Sequence, residues 1–362
     1  MDRLEYTYTL DPAGRVRIAM SSADMEIVGG TGNEVRLVVI RRHSEALVPE
    51  VFARPEEVMI ASGANRAGEQ HDSEDESHKG DLGTVIRESI LRSVRDGLRK
   101  SLSRISGEEA DLELTIPRGA TLEIHTASGD LRLRDWEGRL DHHASSGDVR
   151  IRQVKGEASI RTTSGDLEVE RYQGKLKVGT TSGDVRLEEV EGDVRLETIS
   201  GDAELEGFKG SQEIQTVSGD LTLRRGEGEV AASTTSGDLS GDLHQCPRLK
   251  ASTVSGDLRM DLEPLSGGSY EVHTTSGDVR LRIPRDSKLE IRFATLSGDV
   301  SCRLPLRGEH ASEETLSAEG VGLNWLEKGW VRVGHRFSGV LNTKEGLLEI
   351  KTLSGDITLD AL

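Results

Sequence analysis

The sequence predicts an all-β chain: a single-stranded β-solenoid, β-helix-like or β-roll-like, with rungs of about 18 residues, two short strands per rung and one inserted amphipathic helix. Three observations carry this. Ser-Gly-Asp occurs twelve times, and from Ser128 to Ser236 it returns every 18 residues. Within a rung the halves repeat: 182–190 reads SGDVRLEEV and 191–199 reads EGDVRLETI, alike at six of nine positions. Each half sets a Gly-centred turn before an apolar–polar–apolar alternation, the signature of a short half-buried strand.

After Ser236 the period loosens, with triplets at Ser255, Ser276, Ser297 and Ser354, and one copy at Ser240 falls out of phase. The nine-residue unit excludes a three-hexapeptide rung. Leu131/Leu133, Val149/Ile151, Leu167/Val169 and Val185/Leu187 are expected to stack inward on one wall, with Leu176/Val178 and Val194/Leu196 on the other. Trp136, Val154, Tyr172, Val190 and Phe208 share one position and should fill a corner. Arg132, Arg150, Glu168 and Arg186 should point outward as a column of mixed sign, which limits repulsion between rungs.

The organisation reads as 1–42, a degenerate rung; 43–106, an insertion; 107–302, the regular solenoid; and 303–362, an irregular C-terminal cap with a last rung. In the insertion, the acidic run 69–81 precedes a helix expected over 82–105. Its apolar face includes Ile86, Ile90, Val94 and Leu98, and its basic face Arg92, Arg95 and Arg99. Such a face packs on protein, pairs with another helix or lies on an anionic membrane. Residues 111–127 resemble 278–296 and read as longer rungs. Trp325 and Trp330 are placed in the cap.

These stretches, SADMEIVGGTGNEVRLVV followed by TIPRGATLEIHTASGDLRL and the SGD rungs, resemble the DUF4097 family of bacterial proteins, also labelled adhesin-like. The likeness spans 14–40 and about 110–362. It implies a β-solenoid and, as in several branches of the family, a cell-envelope context.

Composition narrows the function. With 46 Lys and Arg against 64 Asp and Glu, the net charge of -18 opposes nucleic-acid binding. The start, Met-Asp-Arg-Leu-Glu-Tyr, has no basic segment leading into an apolar one, and no run approaches the ~20 apolar residues of a membrane helix. A cytoplasmic location is expected, with peripheral contact at the inner face of the membrane as the helix's open alternative. Cys246 and Cys302 have no Cys or His at ligand spacing, so they read as isolated thiols.

The repeated turn is the one candidate site: Gly129 and Asp130, Gly147 and Asp148, Gly165 and Asp166, Gly183 and Asp184, Gly201 and Asp202, and Gly219 and Asp220. Aligned carboxylates repel by about 1 kcal/mol even in water. Either turn N–H groups or bound calcium must offset this. Calcium needs six to eight oxygens, and the second turns, EGR, KGE, QGK, EGD, KGS and EGE, supply Asp after Gly once. The structural turn is favoured, with no metal, cofactor or catalytic residue assigned. Adjacent His142 and His143 should face opposite ways. The expected function is a non-catalytic scaffold or binding protein with a protein partner or self-association. Alternatives are a self-assembling filament or oligomer, a polysaccharide-active β-helix enzyme and, more distantly, an acidic DNA mimic.

Overall fold

The computed structural model describes residues 2–41, 48–61, 110–311 and 335–362. Every element among them is a strand. The helix expected over 82–105, with Ile86, Ile90, Val94, Leu98, Arg92, Arg95 and Arg99, lies outside the described residues and gains no support from the fold. The acidic run 69–81, Trp325 and Trp330 also lie outside. The chain forms two compact units, Met1–Gly201 and Asp202–Leu362.

The first unit holds β1 (Asp2–Thr9), β2 (Arg15–Ser22), β3 (Met25–Gly30), β4 (Glu34–Arg41), β5 (Glu50–Arg54), β6 (Glu57–Ala61), β7 (Ala110–Pro117), β8 (Thr121–Ser128), β9 (Leu131–Ala144), β10 (Val149–Thr162), β11 (Leu167–Ser182) and β12 (Val185–Ser200). From β9 to β12 the strands stack in parallel at an offset of 18 residues, Leu131 beside Val149, Leu167 and Val185. Their alternating side chains are buried. Full burial of such an aliphatic side chain stabilises by about 1.5–3 kcal/mol.

The two short strands expected per rung prove to be one strand folded at a corner. Asp135, Gln153, Arg171 and Glu189 occupy the left-handed region there, at φ near +55°. A left-handed residue turns the chain while the pairing on either side continues. Trp136, Val154, Tyr172 and Val190 pair in register inside that corner. Large and small alternate: the Tyr172 ring reaches back across Val154's rung, and its hydroxyl donates to the carbonyls of Gly156 and Lys175.

Layer order differs from chain order at the N-terminal side. On one wall β3 lies between β7 and β9; on the other β2 lies between β6 and β8. The chain therefore skips a layer between Pro117 and Thr121, and the early rung 15–30 fills it. Residues 50–61, within the segment read as an insertion, form the hairpin β5–β6 and extend this stack. Antiparallel β4 on β7, β1 on β4 and β5 on β6 complete it.

The second unit holds β13 (Ala203–Glu206), β14 (Lys209–Ser218), β15 (Leu221–Ser233), β16 (Leu239–Ser255), β17 (Leu258–Ser276), β18 (Val279–Ile283), β19 (Leu289–Ser297), β20 (Val300–Cys302), β21 (Arg307–Ala311), β22 (His335–Leu341), β23 (Gly346–Ser354) and β24 (Ile357–Ala361). Here the same device recurs. β23 is inserted between β17 and β19, and β24 between β18 and β20. The triplets at Ser276, Ser297 and Ser354 thus stack in the order 276, 354, 297. Both skips fall within the pattern IPR-x3-LEI, at 116–124 and 283–291. Antiparallel β22 and β21 continue the wall beyond β19.

Candidate functional site: the turn ladder

Gly165 shows why the turn needs glycine. Its φ is +116°, and a Cβ there would run into the backbone carbonyl of Gly147. Rungs pass so closely at the turn that no side chain fits.

The following Asp makes the connection between rungs. Its Oδ1 accepts a hydrogen bond from the backbone N–H of the Asp one layer on, rather than from its own turn. In the first unit the bonds run from Asp24 to Asp130, Asp148, Asp166 and Asp184 at 2.9–3.1 Å. In the second they run from Asp202 through Asp220, Asp238, Asp257, Asp278 and Asp356 to Asp299 at 2.8–3.0 Å, following the stacking order. Gly129, Gly147, Gly183, Gly201 and Gly219 all have positive φ, and the first four are closely approached by the backbone of the preceding layer.

Arginine two residues on faces the second oxygen at several rungs. Arg132 lies 3.6 Å from Asp130, Arg150 3.3 Å from Asp148 and Arg259 2.5 Å from Asp257. Together the N–H donors and guanidinium groups offset the carboxylate repulsion without a cation. Chelation with EDTA is therefore expected to leave the melting temperature unchanged, and calorimetric titration with calcium to give no binding heat. A rise in melting temperature with calcium would contradict the assignment.

A second ladder lies beneath the first and has no place in the expected rung pattern. Thr stands two residues before the Ser of ten of the eleven in-phase triplets, Ala144 being the exception. These threonines are largely buried, Thr180 at 1% exposure and Thr198 at 0%. In the first unit Thr162 and Thr180 donate to the carbonyls of Ser164 and Ser182 at 2.9 and 3.0 Å. In the second, Thr253, Thr274 and Thr352 donate to glycine carbonyls of the preceding layer at 3.2–3.4 Å. The recurring Thr-x-Ser-Gly-Asp string was the available signal. Replacing Thr180 by Val is expected to cost about 1 kcal/mol in denaturant unfolding, the usual worth of such a bond.

The two histidines divide as the alternation requires. His142 is fully buried between Ile124 and Ile160, and neither ring nitrogen has a hydrogen-bond partner. Burial, aided by repulsion from His143 and His125, pushes its pKa down to about 3. His143 faces outward, stacked on His125 with centroids 5.1 Å apart. Its Nε2 lies 3.1 Å from Asp141, and this close imidazole is the main reason the carboxyl is held below its usual range. Among the described residues, no group of three or more His, Cys, Asp or Glu is placed to hold a metal ion. Cys246 is buried, its thiol pushed up by burial to about 12, and Cys302 is half-buried.

The out-of-phase triplet makes a surface feature. Gly241 pairs with Leu223 and Met260, inward positions that carry side chains in the neighbouring rungs. Around it an open trough of about 490 Å³ is lined by Arg224, Asp242, Arg259, Asp261, Arg280, Arg282 and Asp360 among others. Its charges are paired, Arg282 with Asp261 and Arg280 with Asp278.

No curated protein matches the chain. Two solved structures are similar. A candidate adhesin from Bacteroides fragilis has 11% identity and a TM-score of 0.37 over 72% of this chain and 96% of its own. A candidate cell adhesion protein from Clostridium sporogenes has 8% identity and a TM-score of 0.18 over the whole of both chains. The Toastrack DUF4097 profile matches residues 89–248 and 244–322, well over half of the sequence. On that match, the chain belongs to the Toastrack DUF4097 family.

Proposed function

We propose that this chain is a non-catalytic scaffold that binds a protein partner at the bacterial cell envelope. The carrying observation is the use made of its repeated carboxylates. In a glycan-cleaving enzyme two carboxyls must stand free across a sugar at a defined separation. Here Asp24, Asp130, Asp148 and Asp166 in the first unit, and Asp202, Asp220, Asp238, Asp257, Asp278 and Asp356 in the second, each accept a main-chain N–H on one carboxylate oxygen. A rigid surface of fixed, alternating charge suits recognition, because complementary charge sets register and discourages wrong partners. The trough around Gly241 is the recognition surface we favour, since its arginine and aspartate rim departs from the flat repeat. The envelope context rests on the family and is part of the proposal.

Affinity capture from the native cells, with membrane and soluble fractions kept apart, tests this. The expected result is one envelope complex, lost when Arg280→Glu and Arg282→Glu are introduced together. Turnover of a glycan by the purified protein would overturn the reading.

A further inference from the structure

In a simple solenoid each layer is filled by the next stretch of chain. In the second unit one layer is not: the slot left by the skip at 284–288 is occupied by Gly346–Ala361. We propose that this rung is exchangeable, and that a second copy of this chain can donate its own 346–361 into the slot, joining the copies.

Three observations lead there. The slot holds its occupant through backbone register and the shared Asp ladder. Ser354 lies between Ser276 and Ser297, Ile357 between Val279 and Val300, and Asp356 links the ladder from Asp278 to Asp299. None of these bonds depends on which copy supplies the rung, and exchange of an identical element is a low-cost route to assembly.

An empty slot is also untenable. Leu348, Ile350, Ile357 and Leu359 are completely buried in it. Withdrawal exposes them, the walls they cover and two rows of unpaired backbone groups, so an opened copy requires a replacement.

The connection is built as a hinge. β22 and β23 lie on opposite sides of β19, joined only by 342–345. Asn342 takes a left-handed φ of +58°, and its Nδ2 donates to the carbonyls of Arg285 and Ser287 at 2.9 and 2.8 Å. Glu345 meets Lys288 at 3.0 Å. The short hinge is thus clasped to the loop that makes the skip, and straightening it sends the rung away from its own slot. Short hinge loops of this kind invite exchange.

A tethered rung competes at an effective concentration near the millimolar range. Closed copies therefore dominate at dilution, and exchange shows when concentrated chains refold together. His273 and Lys351 are direct neighbours across the slot, close enough for a disulfide. Full-length chains carrying Cys302→Ser with either His273→Cys or Lys351→Cys are unfolded, mixed and refolded under oxidising conditions at about 1 and about 100 μM. The expected result is a dimer linked through positions 273 and 351, its fraction rising roughly tenfold or more between the two concentrations. A single chain carrying both cysteines reports the register by closing its internal disulfide. If that control closes while the mixture stays monomeric, or dimerises through other positions, the proposal is wrong. If the control stays open, the slot itself is wrong.

Discussion

His142→Leu is expected to raise stability at neutral pH and to remove a large part of the acid sensitivity. The imidazole sits where Ile124 and Ile160 stand in the adjoining layers. It is buried with both nitrogens unpartnered, and an unsatisfied buried polar group costs about 1–3 kcal/mol. Leucine removes that cost in a pocket already shaped by aliphatic neighbours. The pH effect is larger. In the folded chain the pKa lies at about 3, against 6.5 for the free side chain. Between those values the unfolded chain holds a proton that the folded chain refuses. Stability is therefore fully present above about pH 6.5 and falls as the pH drops toward 3, by on the order of 4 kcal/mol. Denaturant unfolding from pH 7 to pH 4 should show a steep loss in the wild type and a flatter one in His142→Leu. Parallel slopes would remove His142 as the cause.

Gly165→Ala is expected to be among the most damaging single changes, and Gly179→Ala its harmless counterpart. Both glycines belong to the same part of the stack, yet their surroundings are opposite. At Gly165 an added methyl meets the Gly147 carbonyl, in a backbone conformation alanine rarely adopts. Relief requires parting two rungs held by the Asp148 to Asp166 bond. A loss of at least ~3 kcal/mol follows from strain and lost pairing together. At Gly179 the nearest atom is Arg161 Cγ at 3.9 Å, and φ is not positive. There alanine should be neutral or stabilise by about 0.4–1 kcal/mol, through a less flexible unfolded chain. Equal denaturation midpoints for the two variants would refute the close-approach account.

Much of this was legible because the repeat writes each local choice many times. The pairing of Leu131 with Val149 and Leu167 follows from the 18-residue period, and the corner position of Trp136, Val154, Tyr172 and Val190 from the same alignment. The corner conformation was hidden, since of Asp135, Gln153, Arg171 and Glu189 only the aspartate is a residue type that favours a left-handed turn. The hairpin 50–61 was hidden because Val58 and Ile60 alternate without the glycine turn that marks the other rungs. The skips were visible as likeness between 111–127 and 278–296, but their meaning was not. A local pattern states that strands form; it does not state which distant strand lies beside them. The turn ladder was legible in its residues and misread in its partners, as the acceptor oxygen serves the next layer.

The interleaved layers also bear on how the chain acquires its structure during synthesis. Residues 279–302 leave the ribosome before Gly346–Ala361 exist, so the layer that belongs between β18 and β20 is the last to be made. Until then Asp299 can bond Asp278 directly, since every layer offers the same acceptor, and the stack can close one rung short. Such a closure satisfies the backbone locally and must be undone later. The uniformity that makes the finished ladder strong thus also leaves a closure one rung short open to the growing chain, and the second unit is complete only once its final strands are made.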